Sequence, residues 1–516
     1  MYDYVIVGAG SAGCVLASRL TEDPDVRVLL LEAGPPDSAP SIHIPLGFST
    51  NLRTEVDWDL ATRPEPELLH RRIYLPRGRT LGGSSSINAM IYIRGNRADY
   101  DGWGCAGWSF GDLLPYFRRA EDNERGADAW HGAGGPLSVA DGRSRNPIAG
   151  AFVEAAVQAG LARNEDFNAA VQDGTGWYQA TQRNGRRCST AVAYLHPAAG
   201  RANLDARTGA HVHRIVIDRG RATGVAGERA GAPFVAHAER EVLVCAGTYA
   251  SPQLLMLSGI GDPAQLERSG IAAIHELPAV GRNLQDHLSA GAIWRTDEPV
   301  SLLVATLEPE RCMRELLESG RGPLTSCIAE AGAFARTAPD LPAPDLQLHA
   351  VPAAYPDEGL GEIRHHGVTL TVTVLTPRSR GGVTLASADP TAKPRIEHGY
   401  LSEQADVDRT LTGVRRLLEI ASQPALRPYA ARPYAVPASD SDADILAHVR
   451  ATAQTLYHPV GTCAIGAVVD TQLRVRGIDG LRVIDASVMP AIPRGNTNAP
   501  TIAIAERAAD LLRGAI

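Results

Sequence analysis

A turn with regularly spaced glycines near the start of the sequence places the strongest constraint on the fold. Gly8, Gly10 and Gly13 follow an apolar segment, Tyr4–Val7, and open a stretch that favours a helix, Ser11–Leu20. In this spacing the first glycine permits a tight turn, the second lets a diphosphate approach the backbone, and the third lets the helix pack closely on the strand. The N-terminus of the helix then faces the phosphates, so the segment predicts a dinucleotide-binding turn.

The residues that follow complete a strand–helix–strand unit. A second apolar segment, Val26–Leu31, predicts the next strand, and Glu32 stands directly after it. An acidic residue at this distance from the glycines is suited to bind the ribose hydroxyls of a dinucleotide. The unit predicts a parallel sheet with helical crossovers, but it does not distinguish FAD from a nicotinamide dinucleotide.

The length of the chain indicates more than one domain. At 516 residues the chain is too long for a single hydrophobic core, so we expect two domains. Alternating apolar and polar residues in Asp345–Val351 and Gly367–Leu375 predict strands of an antiparallel sheet. We therefore predict an α/β protein, with a Rossmann-like dinucleotide-binding domain and a substrate-binding domain whose antiparallel sheet is flanked by helices. The first domain is expected to comprise residues 1–155, 200–293 and 437–516, and the second residues 156–199 and 294–436.

Charge and cysteine content limit the classes of function. A formal net charge of −8 argues against nucleic-acid binding, which needs a basic surface. The seven cysteines are scattered without a CxxC pair, which is typical of free thiols in a reducing compartment. His211 and His213 have no nearby carboxylate to complete a metal set, so no metal is expected. With no apolar run of membrane-spanning length and no leader-like segment before Tyr4, we expect a cytoplasmic protein without a membrane span.

The segment Arg77–Gly95 offers a second contact for a cofactor. Gly82, Gly83 and the serines at 84–86 present bare backbone N–H groups and hydroxyls, which suit phosphates or a ribityl chain. The large residues at 87–92 are unlike those of a flexible serine-rich linker. The segment therefore predicts a structured cofactor-binding loop.

Several segments together resemble those of the glucose–methanol–choline oxidoreductase family. Leu81–Asn88 is similar to the first signature of this family, and Gly247–Gly261 to the second. The segments 107–117, 280–287 and 480–490 are also similar to recurrent family segments, so the resemblance covers essentially the whole chain. It implies a two-domain flavoprotein that binds FAD and oxidises alcohols at the flavin. Some members tether FAD through a histidine where this sequence has Ile87, which implies that this tether is absent.

The resemblance and the glycine turn together imply a set of cofactor-binding residues. Residues 88–90 should line the isoalloxazine ring, and Val212 should meet the adenine through its backbone. Asp485 and Ala486 should lie against the diphosphate and the ribityl chain. The full expected set is Gly8, Gly10, Ser11, Ala12, Gly13, Glu32, Ala33, Arg79, Leu81, Gly82, Gly83, Ser84, Asn88, Ala89, Met90, Ile91, Val212, Tyr457, Asp485, Ala486, Asn496, Thr497 and Asn498.

Two residues late in the chain are the expected catalytic pair. The resemblance implies that His458 is the catalytic histidine and that Asn498 is its polar partner. Alcohol oxidation requires loss of the hydroxyl proton as a hydride leaves the adjacent carbon, and a base near neutral pKa lowers that barrier. Asn498 could hydrogen-bond the alkoxide-like oxygen, and FAD is expected to accept the hydride at N5. A last helix from about Pro500 would aim its N-terminus at the flavin and stabilise the reduced form.

The substrate is expected to be a neutral primary alcohol that is oxidised to an aldehyde. An aromatic content of 5% gives no obvious cage for a cationic head such as that of choline. Glu330, Phe334, His349 and Tyr355 are candidate pocket residues in the substrate-binding domain. The sequence leaves open whether the electron acceptor is O2, a quinone or another carrier, and whether the protein forms an oligomer.

Rival functions remain open at the level of sequence. An FAD-containing lyase that cleaves cyanohydrins is similar in sequence but needs no net redox chemistry. A light-driven decarboxylase is less attractive because both His458 and Asn498 are present. A non-catalytic binding protein would leave both residues idle, and an NAD dehydrogenase would give the serine-rich loop no role.

Overall fold

The computed structural model describes residues 1–356, 360–361 and 364–516. Two seven-stranded sheets organise this part of the chain. The first contains a parallel strand–helix–strand unit around the glycine turn, and the second is antiparallel. The prediction of an α/β protein with a Rossmann-like unit and a second, antiparallel sheet is therefore confirmed.

The first sheet has a parallel centre and an antiparallel extension. Tyr2–Val7 pairs in parallel with Val28–Leu31 and with the C-terminal half of Ala232–Val244. Val28–Leu31 is buried along its whole length, as expected for a strand covered on both faces. The strands in spatial order are Leu204–Arg207, Val28–Leu31, Tyr2–Val7, Ala232–Val244, Arg221–Arg229 and Ala210–Asp218, with Leu481–Val483 paired to the end of Ala232–Val244.

The second sheet presents two chemically different faces. Leu346 and Val372 lie on the face that packs against the helix Gln404–Ala421, where Gly413 allows a close approach. Gln347 and His349 alternate with these apolar residues, so they lie on the opposite face. The strands in spatial order are Arg432–Ala435, Leu288–Arg295, Gly367–Val374, Leu346–Val351, Ala331–Ala335 and Gly174–Trp177, with Gln454–Thr455 paired to Leu288–Arg295.

Helices and small sheets complete the described part of the chain. The α-helices are Ser11–Leu20, Pro40–His43, Arg97–Gly102, Phe110–Ala120, Pro147–Gln158, His196–Ala198, Gly247–Leu257, Pro263–Arg268, Val304–Leu307, Pro309–Ser319, Gln404–Ala421, Asp442–Thr452 and Asn498–Arg513. A π-helical turn spans Ala191–Leu195, and 3-10 turns include Pro45–Asn51, Pro66–Leu68, Gly83–Ser86, Pro323–Thr325 and Ala486–Val488. The small sheets pair Leu60–Ala61 with Tyr74–Leu75, Gln182–Arg183 with Arg186–Arg187, Ile260–Gly261 with His275–Glu276, Gly382–Thr384 with Arg395–Glu397, and Leu137–Asp141 with both Glu121–Asn123 and Gln179–Ala180. Among the described helices, none combines the length and the apolar character needed to cross a bilayer.

The expected domain boundaries fall inside continuous elements. The strand Leu288–Arg295 belongs to the second sheet, although residues up to 293 were expected in the first domain. The helix Pro147–Gln158 packs against Ala331–Ala335 of the second sheet, although the boundary at 155 divides it. The chain thus passes between the sheets within single elements, and no change of composition marks the passage.

One helix begins earlier than expected. The sequence predicts a helix from Ser251 with Pro252 in its first turn, whereas the helix spans Gly247–Leu257 with Pro252 inside it. A proline there removes the N–H that would bond the carbonyl of Thr248. That carbonyl instead accepts a hydrogen bond from the hydroxyl of Thr462 at 2.6 Å, so the longer helix tolerates the proline.

Candidate active site

The glycine turn leaves the start of its helix open. Gly8 adopts a φ of +99°, and a Cβ on Gly13 would collide with the carbonyl oxygen of Gly8. Around Gly10, by contrast, a Cβ would meet nothing nearer than 4.0 Å. Gly10 caps the helix Ser11–Leu20 without a side-chain hydrogen bond. The first N–H groups of the helix are therefore available to an anionic ligand, which is the arrangement that binds a diphosphate.

Glu32 braces this turn from the end of the second strand. Its Oε2 accepts the N–H of Ala9 at 2.9 Å, and its Oε1 accepts the N–H of Gly34 at 2.9 Å. Burial raises the pKa of the Glu32 carboxyl to about 7. The carbonyl of Glu32 also accepts the N–H of Ala210, which brings the strand of Val212 alongside. The segment from Glu32 through Ala33 is thus built into the glycine turn, as a ribose-binding acid requires.

The serine-rich loop forms a second wall against the glycine turn. The N–H of Gly82 donates to the carbonyl of Ala9 at 2.7 Å, and a Cβ on Gly83 would lie 2.7 Å from the Cα of Gly10. Within the loop, Leu81 accepts the hydroxyl of Ser86 at 2.7 Å through its carbonyl. The hydroxyl of Ser84 accepts the N–H of Gly78 at 3.1 Å. Two glycine-rich segments 73 positions apart in sequence therefore meet backbone to backbone.

Asn498 contacts the helix that follows the glycine turn. Its Oδ1 accepts the hydroxyl of Ser11 at 2.7 Å. Asn498 is the first residue of the helix Asn498–Arg513, whose N-cap, Thr497, makes no side-chain cap bond. Two helix N-termini with uncapped N–H groups are thereby joined by one hydrogen bond. The helix begins two residues earlier than Pro500, which brings Asn498 to Ser11, while the expected role of Asn498 at the alcohol oxygen stays a prediction.

Asn496 lies beside His458. Its Nδ2 lies 3.1 Å from Nε2 of His458, while its Oδ1 is buried with no hydrogen-bond partner among the described residues. The sequence analysis includes Asn496 only as a cofactor contact. Asn496-Thr497-Asn498 carries two asparagines at a spacing of two, and sequence alone does not say which one meets the histidine.

A second histidine, which the sequence analysis missed, determines the tautomer of His458. Nδ1 of His287 lies 3.0 Å from Nδ1 of His458, and Nε2 of His287 lies 3.1 Å from the carbonyl oxygen of Leu375. A carbonyl only accepts, so Nε2 of His287 carries a proton and its Nδ1 is bare when the ring is neutral. His458 must then donate from Nδ1, which leaves its Nε2 as a lone pair facing Asn496. The only sequence signal for His287 was its place in the segment 280–287.

The electrostatic setting keeps these rings neutral. Burial lowers the pKa of His458 well below 6.5, and the neighbouring His287, His349 and Arg77 lower it further. Burial likewise lowers the pKa of His287 to about 4 and that of His349 to about 3. At neutral pH the site therefore presents His458 as an unprotonated imidazole.

The residues expected around the flavin ring are anchored by a buried arginine. Oδ1 of Asn88 accepts the N–H of Met90 at 3.0 Å and Nη1 of Arg187 at 2.8 Å. Met90 adopts a φ of +63°, and Ile91 continues into a bridge with Ala180. The sequence analysis missed Arg187, since arginines are rarely buried and nothing in the local pattern marks this one. Asn88 and Ala89 stay partly exposed beside the buried Met90.

Asp485 is occupied by contacts within the protein. Its Oδ2 accepts the N–H of Gly247 at 2.9 Å and the hydroxyl of Ser251 at 2.5 Å, and its Oδ1 accepts the N–H of Ser487 at 2.8 Å. The carboxylate thus ties the start of one helix to the segment that contains Ala486. A contact from this segment to a cofactor would come from its backbone.

The four candidate pocket residues divide into two groups. Phe334 belongs to a buried apolar cluster with Met90 and Leu375, named here the Met90 cluster, and Tyr355 packs against its edge. His349 lies close enough to His458 to lower its pKa. Glu330 accepts the hydroxyl of Ser326 at 2.6 Å and the N–H of Asn146 at 2.8 Å, so its carboxylate braces the fold.

The described residues fit FAD. Open space at Gly10 and the two uncapped helix N-termini suit a diphosphate. Nε of Arg79 is buried without a hydrogen-bond partner among the described residues, and its guanidinium stacks 5.2 Å above the ring of Trp58. Glu32 lies at the glycine turn, and Asn496, which contacts His458, lies two residues before Asn498, which contacts Ser11.

Comparison with known proteins agrees with this geometry. The family model described as GMC oxidoreductase matches residues 2–289 with its N-terminal part and residues 377–505 with its C-terminal part. The alcohol dehydrogenase (acceptor) of Pseudomonas putida is 42% identical over 99% of this chain and 96% of its own length. Mitochondrial choline dehydrogenase of Mus musculus is 43% identical over 99% of this chain and 89% of its own length.

A solved structure supports the same assignment. Formate oxidase of Aspergillus oryzae, in a structure described in terms of its FAD modification, has a TM-score of 0.93 and 27% identity. The match covers 100% of this chain and 98% of that one. The comparisons support FAD as the cofactor and confirm the predicted oxidoreductase class. The chain belongs to the GMC oxidoreductase family.

Proposed function

We propose that the chain oxidises a neutral primary alcohol to an aldehyde, with FAD as cofactor and His458 as general base. The observation that carries the proposal is the bare Nε2 of His458, which faces the amide of Asn496 at 3.1 Å in a buried site. FAD, when bound, supplies the hydride acceptor at its N5. The protein contributes the proton acceptor and the groups that orient the alcohol.

The two side chains support complementary roles at the alcohol oxygen. An alcohol that donates its hydroxyl proton to Nε2 of His458 brings its oxygen within reach of the Asn496 amide. The amide N–H can then stabilise negative charge on that oxygen without adding a charge to the site. We therefore assign to Asn496 the role that sequence analysis gave to Asn498.

The low pKa of His458 shapes the proton transfer. Because burial disfavours the imidazolium and the nearby Arg77 disfavours it further, the ring is fully available as a base at neutral pH. The same effect disfavours a standing imidazolium–alkoxide pair. Proton transfer to Nε2 is therefore expected to accompany the loss of the hydride from the alcohol carbon. His287 receives the Nδ1–H of His458 and holds the ring in the productive tautomer.

The surroundings favour a neutral substrate over a cation. The Met90 cluster is apolar, and it is edged by Leu46, Ile328 and Tyr355. The buried carboxylates of Asp286 and Glu330 each accept hydrogen bonds from the protein, so turning either one toward a cationic head would break those bonds. Choline oxidation, which the name of one relative indicates for that relative, is therefore not what we propose here. No observation favours the lyase alternative.

Anaerobic reduction of the flavin tests the proposal. Purified holoenzyme is mixed without oxygen with a panel of aliphatic and aryl primary alcohols, with choline as the cationic comparison, and the yellow absorbance is followed. We expect bleaching by at least one neutral alcohol and much slower bleaching by choline. Admitting air to the reduced enzyme then distinguishes an oxidase from a dehydrogenase that needs a quinone or another carrier.

Two histidine variants complete the test. In His458→Ala the rate constant of flavin reduction should fall by about 10³-fold or more, as expected for loss of a positioned base. Nε2 of the part-buried His448 donates to the carbonyl of Gly291 at 2.8 Å, and His448→Ala should leave the rate constant unchanged. A wild-type rate constant of flavin reduction in His458→Ala would contradict the proposal. Cleavage of a cyanohydrin by an enzyme whose flavin no alcohol bleaches would also contradict it.

A further inference from the structure

The turn that carries His458 has a strained backbone. Tyr457, immediately before it, adopts a φ of +69°, in the left-handed region that residues with a Cβ disfavour. A bulky residue keeps this conformation only where the surrounding structure holds it. Unlike the glycine turn, the Tyr457 turn therefore depends on outside contacts for its shape.

Three hydrogen bonds hold the Tyr457 turn. The N–H of Tyr457 donates to the hydroxyl of Thr455 at 2.7 Å, and the carbonyl of Tyr457 accepts a hydrogen bond from Nη2 of Arg77 at 2.9 Å. The N–H of His458 donates to Oδ1 of Asp286 at 2.8 Å. The turn is thus held by hydrogen bonds to the guanidinium of Arg77 and to the carboxylate of Asp286.

Asp286 is itself held rigidly. Its Oδ2 accepts the hydroxyls of Tyr400 and Thr455, each at 2.6 Å, and its side chain is buried. Thr455 therefore links the carboxylate to the N–H of Tyr457. The next residue, His287, meets the ring of His458 and accepts the N–H of Leu456 through its carbonyl at 2.7 Å. One short segment thus holds both the backbone and the imidazole of His458.

We propose that Asp286 is a positioning residue that aims Nε2 of His458 by holding the strained Tyr457 turn, an inference that rests on the proposed role of His458 as base. A carboxylate accepting the His458 N–H fixes the origin of the side chain, while His287 fixes the plane of its ring. Displacement of a base by about 1 Å lowers the rate about 100-fold. The hydrogen bond between Asp286 and His458 should therefore affect the rate constant of flavin reduction rather than the affinity for the alcohol.

The test compares Asp286→Asn with a matched control. In Asp286→Asn the rate constant of flavin reduction at saturating alcohol, for the alcohol that bleaches wild type fastest, should fall about 10- to 100-fold. The apparent dissociation constant of that alcohol and the FAD content should stay within about threefold of wild type. Asp345 is an equally buried aspartate, which accepts the N–H and hydroxyl of Thr337 at 2.7 and 2.5 Å. Asp345→Asn should lower the unfolding temperature and leave the rate constant unchanged.

A double-mutant cycle separates positioning from general support. Glycine adopts a positive φ without strain, so Tyr457→Gly removes much of what Asp286 must restrain. Asp286→Asn should lower the rate constant of flavin reduction by a smaller factor in the Tyr457→Gly background than in the Tyr457 background. It should also lower the free energy of unfolding in urea by a smaller amount there. Equal losses in the two backgrounds, or a rate constant of Asp286→Asn within twofold of wild type, would overturn the proposal.

Milder variants keep the test decisive if Asp286→Asn does not fold with FAD. Tyr400→Phe and Thr455→Val each remove one hydroxyl that holds Oδ2 and leave the carboxylate in place. Each should lower the rate constant by a few-fold at unchanged alcohol affinity, and two unchanged variants would overturn the proposal. Measuring His458→Ala alongside distinguishes the failures. Full activity of His458→Ala would contradict the assignment of His458 as base. A wild-type rate constant in Asp286→Asn, together with an inactive His458→Ala, would contradict only the positioning role of Asp286.

Discussion

The glycine turn and the Tyr457 turn each contain a residue with a positive φ but are built by opposite means. Gly8 adopts its positive φ at no steric cost, and the helix that follows keeps its first N–H groups uncapped. Tyr457 adopts a similar φ against its preference and is held by Arg77 and Asp286. A turn that must admit a ligand is made small and open, whereas a turn that must aim a side chain is made bulky and restrained.

The largest effect is expected where the glycine turn has no room. A Cβ on Gly13 would collide with backbone, so Gly13→Ala should lower the free energy of unfolding of the FAD-free protein by about 3 kcal/mol or more. A Cβ on Gly10 meets only open space, so Gly10→Ala should leave that free energy within about 0.5 kcal/mol of wild type. It should still weaken FAD binding by at least about tenfold, because the methyl group occupies the path of the diphosphate. Urea unfolding and fluorescence titration with FAD measure the two quantities. Similar unfolding curves for both variants would refute the distinction.

The next largest effect distinguishes the two asparagines. Asn496→Ala should lower the rate constant of flavin reduction by about 10- to 100-fold with FAD still bound, because it removes the amide beside Nε2 of His458. Asn498→Ala removes the partner of Ser11 and should mainly weaken FAD binding. Stopped-flow reduction and FAD titration on both variants measure this. If Asn498→Ala alone slowed reduction, the reassignment to Asn496 would be wrong.

The two turns should also respond to pH with opposite signs. The pKa of His287 is lowered from 6.5 to about 4, so its contribution to stability is complete above about pH 6.5 and is lost as the pH falls toward 4. That loss amounts to about 2 kcal/mol by pH 5 for one such imidazole. The pKa of Glu32 is raised from 4.5 to about 7, so its contribution is complete below pH 4.5 and is lost as the pH rises to 7. Unfolding free energies of wild type, His287→Gln and Glu32→Gln between pH 5 and 8 measure both slopes. If His287→Gln or Glu32→Gln has the same pH dependence of unfolding free energy as wild type, the replaced residue is not the source of that dependence.

The smallest effect concerns the bond between the two helix N-termini. Ser11→Ala removes the hydroxyl that donates to Asn498 and should lower the free energy of unfolding by about 1 kcal/mol. Ser319→Ala removes an exposed hydroxyl that bonds only to its own helix and should stay within about 0.5 kcal/mol of wild type. Urea unfolding of both variants provides the comparison, and equal losses would show that the bond between the helices adds nothing of its own.

Local patterns predicted the glycine turn well and the Tyr457 turn only in part. The helix Ser11–Leu20 has the predicted bounds, because its strand, glycines and helix are contiguous in sequence. The choice between Asn496 and Asn498 depends on where a helix begins, which no local pattern determines. His287 and His458 are 171 residues apart, and only the folded chain brings them together. The buried Arg187 and the passage of single elements between the two sheets likewise leave no local pattern.

The hydrogen bond between Ser11 and Asn498 joins residues 487 positions apart. During synthesis on the ribosome, the helix that contains Asn498 is therefore made 487 residues after the start of the helix at the glycine turn. A nascent chain that has not reached Asn498 lacks one of the two helix N-termini that suit the diphosphate. Cofactor loading is therefore expected to follow the synthesis of Asn498, and a shortened translation product that stops before Asn498 is expected to accumulate without colour.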